Sequence, residues 1–169
     1  MIPFEIRTIH NPDDTVSLKA VIAMEDANGT TLKEIDKIEK QFKIMVAKVK
    51  DLINKIDSTR YIKTRPDLHW DVGKIVKDFT GDIETKGYYC TNISRILAEN
   101  TNKKDRYWSY KIRFVEYYPD KKMLNEKINY KMYQGLLDVA DAKKRKRLEN
   151  DVINGKIKSG RELIEIKVK

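Results

Sequence analysis

At 169 residues and 19.9 kDa, with 40% hydrophobic residues, the chain can build one domain core, or two small domains that share a core, and its composition points away from wholesale disorder. A charged fraction of 36% and a mean hydropathy of -0.65, with no apolar run near the roughly 20 residues that span a bilayer, exclude an integral membrane protein. The balance of 35 Lys+Arg against 26 Asp+Glu, a net +9 with a pI near 9.4, favours polyanionic partners, nucleic acid first.

The N-terminal MIPFEIRTIH lacks the charged-then-apolar layout of a signal peptide, so a cytoplasmic, nucleoid-associated location is expected. Ile2, Phe4 and Ile6 alternate with polar neighbours, Asn11-Pro-Asp-Asp14 is turn chemistry, and Leu18 to Met24 is a second apolar run; together they predict a small β-hairpin. Asp26-Ala-Asn-Gly29 breaks the chain. Thr31 and Glu34 then make a capping-box pattern ahead of a helix in which Ile35, Ile38, Phe42, Met45, Val49, Leu52 and Ile56 recur at alternating steps of 3 and 4. This heptad seam, widened by Val46 and Ile53, suits intramolecular bundle packing and homodimerisation equally; as a dimer seam it would match palindromic DNA.

Residues 1–57 hold 9 Lys+Arg and 10 Asp+Glu, whereas residues 58–169 hold 26 and 16. The chain is therefore expected to divide into a scaffold and dimerisation part, 1–57, and a basic helical DNA-binding part, 58–169. In the second part a helix is predicted from Pro66 to Phe79, with Gly73 allowing a close helix contact and Gly81 available to end it. A further helix is predicted near Tyr88–Glu99, then a polar turn over Asn100–Lys104.

The helix from about Asp105 to Tyr118 reads as two-faced. Trp108, Ile112 and Val115 are spaced for burial, and Lys103, Arg106, Tyr110, Arg113 and Tyr117 form an opposite stripe of cations and tyrosines. Such a stripe after a short turn is the arrangement a helix-turn-helix presents to DNA. Arg106, Tyr110 and Arg113 are thus expected to face bases or backbone, with Lys103 and Lys104 on phosphates. Helices near Tyr130–Leu137 and Ala142–Ile153 follow, the second capped by Asp141 and ended by Gly155. Lys143, Lys144, Arg145, Lys146 and Arg147 cannot share one face, so some of them serve general phosphate attraction. Ser159 and Glu162 make another capping-box pattern, while Leu163–Val168 fits helix or strand. No internal repeat or low-complexity linker is found.

Four segments, HWDVGKIV (His69–Val76), ISRILAENTN…WSYKIRFVEYYPD (Ile93–Asp120), INYKMYQGLLDVADAKKRKRLE (Ile128–Glu149) and GKIKSGRELIEI (Gly155–Ile166), occur in an order and spacing that resembles the N-terminal helical domain of the YhcG family of PD-(D/E)xK nucleases. The likeness covers a little over half of the chain. It implies a helix-turn-helix-like DNA-binding domain of the kind usually attached to a nuclease. With the chain ending at Lys169, no nuclease domain is expected to follow.

Two short patterns imitate the nuclease signature itself: Pro66-Asp67 with Glu84-Thr-Lys86, and Glu165-Ile-Lys167. The chemistry needs carboxylates on adjacent strands around Mg²⁺, with the Lys placing water. Asp67, however, starts an amphipathic helix, and Glu165 has no following helix to flank its strand. A lone Cys90 allows no intramolecular disulfide or cysteine-based zinc site, and His10 and His69 are the only histidines, so no metal and no cofactor is expected. His69 is expected to pack beside Trp70.

The fold class expected is mainly α, a helical bundle with helix-turn-helix-like units and a small N-terminal β-hairpin. The expected function is non-enzymatic binding of double-stranded DNA by a homodimer, as a regulator or DNA-handling factor of a mobile element, virus or restriction-type system. The alternatives are a PD-(D/E)xK-type nuclease or its remnant, an RNA-binding protein whose tyrosines stack on unpaired bases, and a protein–protein adaptor built on the heptad seam.

Overall fold

The computed structural model describes residues 2–10, 16–22, 29–58, 61, 64–90 and 93–168. The fold is mainly helical. Its elements run β1 (Ile2–His10), β2 (Val16–Ile22), α1 (Gly29–Ser58), α2 (Pro66–Thr85), β3 (Tyr88–Cys90), α3 (Ile93–Thr101), α4 (Asp105–Tyr117), a 3₁₀ turn (Lys121–Met123), α5 (Tyr130–Leu137), α6 (Ala142–Ile153) and α7 (Gly160–Val168). The strands are ordered β2-β1-β3; β2 pairs antiparallel with β1, from Phe4 opposite Ile22 to His10 opposite Val16, and β3 pairs parallel with β1. The expected turn at Asn11–Asp14 lies outside the described residues, as does most of the break before Gly29. No helix among the described residues is long and apolar enough to cross a membrane.

Two compact units are formed, 1–51 with 75–109 and 52–74 with 110–169. The boundary differs from the single cut expected at residue 57. The reason lies in α1, α2 and α4, long amphipathic helices whose apolar stripes each supply residues to both units.

In the first unit the α1 residues Ile35, Ile38, Phe42, Met45, Val46 and Val49 are buried, with Val76, Phe79 and Ile83 of α2, Ile93, Ile96 and Leu97 of α3, and Trp108. Phe42 meets Phe79 edge-on, ring centroids 5.4 Å apart. Glu34 accepts a hydrogen bond from the Tyr88 hydroxyl at 2.7 Å, and this bond, with burial, raises the phenol above its ordinary pKa. α2 runs through Gly81, where a Cβ would meet nothing, and stops at Thr85; Gly87, at φ +84°, then leads into β3. That strand takes three residues that were expected to be helical, because β1 offers them a pairing edge.

The heptad seam is consumed by this packing. Ile35, Ile38, Phe42, Met45, Val49 and Ile56 are all buried and Leu52 is half-buried. A two-chain coiled coil through these residues would have to remove them from the chain's own fold, so their assignment to dimerisation is replaced by an intramolecular one.

The core of the second unit is rich in aromatics. Phe114 and Tyr133 lie with ring centroids 5.1 Å apart, and Tyr118 meets Tyr133 edge-on at 5.0 Å. Trp70 donates from Nε1 to the Tyr118 carbonyl at 2.6 Å. Gly73 is required for close approach, since a Cβ there would sit 2.2 Å from the Lys111 carbonyl oxygen and 2.8 Å from Val115. Gly135 plays the same part between α5 and α7, where a Cβ would lie 2.5 Å from Leu163. The caps are side-chain oxygens: Asn129 accepts from Met132 N–H, Asp141 from Lys144 N–H, and Ser159 from Glu162 N–H. Glu162 also accepts from the Lys158 N–H, and the final stretch, open between helix and strand in sequence, is the helix α7.

Candidate nucleic-acid interface

Charge is partitioned between the units as it is along the chain. Unit 1–51/75–109 holds 14 Lys+Arg and 14 Asp+Glu, and unit 52–74/110–169 holds 21 and 12, so the whole +9 resides in the second. A binding surface for a polyanion is therefore sought there.

The stripe anticipated along α4 does not survive as an open ridge. Lys103, Lys104 and Arg106 belong to the neutral unit, with the Lys103 ammonium 5.5 Å above the Tyr107 ring. In the basic unit, Tyr110 is only 8% exposed and donates its hydroxyl hydrogen to Asp138 at 2.6 Å. Arg113 bonds to the same carboxylate oxygen at 3.1 Å and lies 4.9 Å over the Tyr110 ring. Tyr117 is covered by the Arg145 guanidinium, 3.8 Å from its ring centroid. Tyr110, Arg113 and Tyr117, expected on DNA, thus each have a partner within the unit. The physical reason is that Asp138 and Arg145, which follow them by more than a helix length in sequence, fold back to satisfy them.

Arg145 changes role in the same way. Besides stacking on Tyr117 it donates from Nη1 to the Val139 carbonyl at 2.8 Å, which pins the turn between α5 and α6. The other four cations of the run stay exposed. Lys146 pairs at 3.1 Å with Glu149, whose side chain is buried beneath the helix. No carboxylate among the described residues pairs with Lys143, Lys144 or Arg147.

The arrangement around them is specific. α5 spans eight residues, four more (138–141) make a turn, and the twelve-residue α6 follows. Leu148, Glu149 and Val152 turn inward, while Lys143, Arg147, Asn150 and Asn154, at steps of 4, 3 and 4, are exposed on the outward side. Beneath α6, burial and the neighbouring charge of Glu149 push the Tyr133 phenol up to about 12, against a hydrogen bond from the Asn125 N–H that works the other way. Burial, with Glu149, also raises Tyr118 well above its ordinary value.

Sequence reasoning missed Lys111, which is fully buried. Its ammonium touches Nδ1 of His69 and lies 3.8 Å from the centroid of the Tyr130 ring, on which His69 stacks at 3.6 Å. A cation on an aromatic face accounts for part of its accommodation. His69, expected beside Trp70, stacks on Tyr130. The nearest available signal was Gly73, which brings the Lys111 backbone against α2.

The nuclease-like patterns are placed on helices. Asp67 lies in the first turn of α2 and Glu84 in the last turn of the same helix. Partial burial works to raise Asp67, but two hydrogen bonds from the Arg65 guanidinium outweigh it and leave the carboxyl below its ordinary value. Glu165 is an exposed residue of α7 bonded to Arg161 at 3.2 Å. Neither pattern sits on adjacent strands, and no group of three or more His, Cys, Asp or Glu that could hold a metal occurs among the described residues. No protein-family model, curated protein or solved structure gives a significant match to the chain.

Proposed function

We propose that the protein binds double-stranded DNA through the α5–α6 pair, with α6 entering the major groove. The observation that carries this is the outward row Lys143, Arg147 and Asn150 on a helix that is capped by Asp141, preceded by a four-residue turn, and anchored through Arg145. A helix-turn-helix reads DNA with the N-terminal residues of its second helix. Arg is the side chain that pairs bidentately with guanine and Asn the one that pairs with adenine, while Lys143, Lys144 and Lys146 are suited to phosphates. The action is binding, with no bond made or broken, and a role as a regulator or DNA-handling factor belongs to the same proposal.

A homodimer through the α1 seam is not part of it, since those residues are buried in the chain's own fold. Kinship with the YhcG N-terminal domain is proposed alongside, because Ile128–Glu149, one of the segments that carry the likeness, is also the segment from which this reading is built. Selection of bound duplexes from a random pool tests the function. Arg147→Ala and Asn150→Ala are expected to relax the preference at individual base pairs, by about 1–3 kcal/mol of discrimination each. Failure to enrich any duplex, or enrichment unchanged in both variants, would overturn the proposal.

A further inference from the structure

Next to the outward row, α6, the loop after it and α7 line a second feature of the same unit, a cleft of about 350 Å³. Part of the lining is cationic: Lys144 and Arg147 of α6, with Lys156, which pairs at 3.2 Å with Asp151, itself a lining residue. The apolar side is Leu148 and Ile157, both buried, and Ile166, which is 41% exposed. The volume is at the lower end for pockets that hold small organic ligands and far above what one inorganic anion fills. A bare phosphate on the two lysine and arginine heads would leave the apolar side against water. A group with an anionic end and a flat, weakly polar body matches both sides.

We infer that this cleft holds a single phosphate-bearing nucleotide, its phosphate on Lys144 and Arg147 and its sugar or base against Ile157 and Ile166. The inference rests on the reading of α6 as the DNA-facing helix, and it deepens that reading. Arg147 belongs to both surfaces, so a strand that follows the helix brings its phosphodiester to the mouth of the cleft. A nucleotide at a strand end, or one displaced from the stack, can then enter.

The test uses the full chain and three probes at matched ionic strength: deoxyadenosine 5′-monophosphate, deoxyadenosine and inorganic phosphate, followed by amide and methyl NMR shifts. The mononucleotide is expected to bind about tenfold more tightly than either half of it, since the charge-assisted contacts and the apolar contact act together. Shifts should centre on Lys144, Leu148, Ile157 and Ile166. Lys144→Ala and Ile166→Asp, both at exposed positions, should each weaken it about tenfold. Equal binding of inorganic phosphate and mononucleotide, or a mononucleotide affinity indifferent to Ile166→Asp, overturns the inference. A companion titration with duplex separates the two readings. If duplex binding persists and depends on Lys143 while the mononucleotide fails to bind, the cleft assignment alone falls. If the mononucleotide binds but duplex does not, the α6 reading falls with the strand-based account of the cleft.

Discussion

Lys143 and Arg147 differ from Arg113 and Arg145 in what surrounds them, and that difference decides their roles. The first two are exposed and unopposed by any described carboxylate; the other two are spent on Asp138, on Tyr117 and on a backbone carbonyl. Arg113→Ala should therefore cost only about 0.5–1 kcal/mol of stability, as befits a half-exposed pair, and should leave DNA affinity unchanged; urea titration and duplex binding report the two. Arg145→Ala removes a stack and a hydrogen bond together, and a loss of about 1–3 kcal/mol is expected in the same titration. Tyr133 supplies a pH signature. Its phenol stays neutral in the fold up to about 12, whereas in the unfolded chain it ionises near its ordinary value of 10.0. A raised folded pKa means the stabilisation is complete below pH 10 and is lost as pH climbs toward 12, at about 1.4 kcal/mol per pH unit. Denaturant midpoints measured through that window should fall, and the fall should flatten in Tyr133→Phe.

Among the elements, α2 and α4 depend on Gly73. Gly73→Ala forces a Cβ onto the Lys111 carbonyl, which cannot move without its helix, so a loss of about 1–3 kcal/mol and a lower thermal midpoint are expected. The α1 seam makes a different demand. Phe42→Ala should cost about 3–5 kcal/mol, with a midpoint that does not depend on protein concentration; a concentration-dependent midpoint would restore the dimer seam. The elements also show where sequence reasoning reached and where it stopped. α5 and α6 were legible to the residue, because Asp141 and Gly155 mark the ends of α6 with local chemistry that needs nothing distant. The α1 periodicity was legible as a buried stripe, yet a period says only that a face is covered and never by which chain. β3 was read as helix since its pairing edge is some eighty residues away in sequence. The partners of the α4 stripe are illegible for the same reason: Asp138 and Arg145, which contact Tyr110, Arg113 and Tyr117, are remote in sequence. Lys111 gives no sign beyond Gly73, because a buried lysine is the exception among charged residues.

For the molecule as a whole, the two units differ in charge, with one neutral and the other carrying the entire +9. If α6 binds DNA as proposed, affinity set by phosphates responds to salt in proportion to the α6 cations engaged. The buried seam counts against an adaptor that docks partners through it, and the burial of Tyr110 leaves it no free face on which to stack unpaired bases. The most direct measurement is duplex affinity from low to high salt for the native chain, for Lys143→Ala combined with Arg147→Ala, and for Arg113→Ala. A steep slope that the paired α6 variant reduces by about 2, and that Arg113→Ala leaves as it was, is the predicted result. A slope reduced as much by Arg113→Ala as by the α6 pair, or affinity indifferent to all three substitutions, would contradict the account.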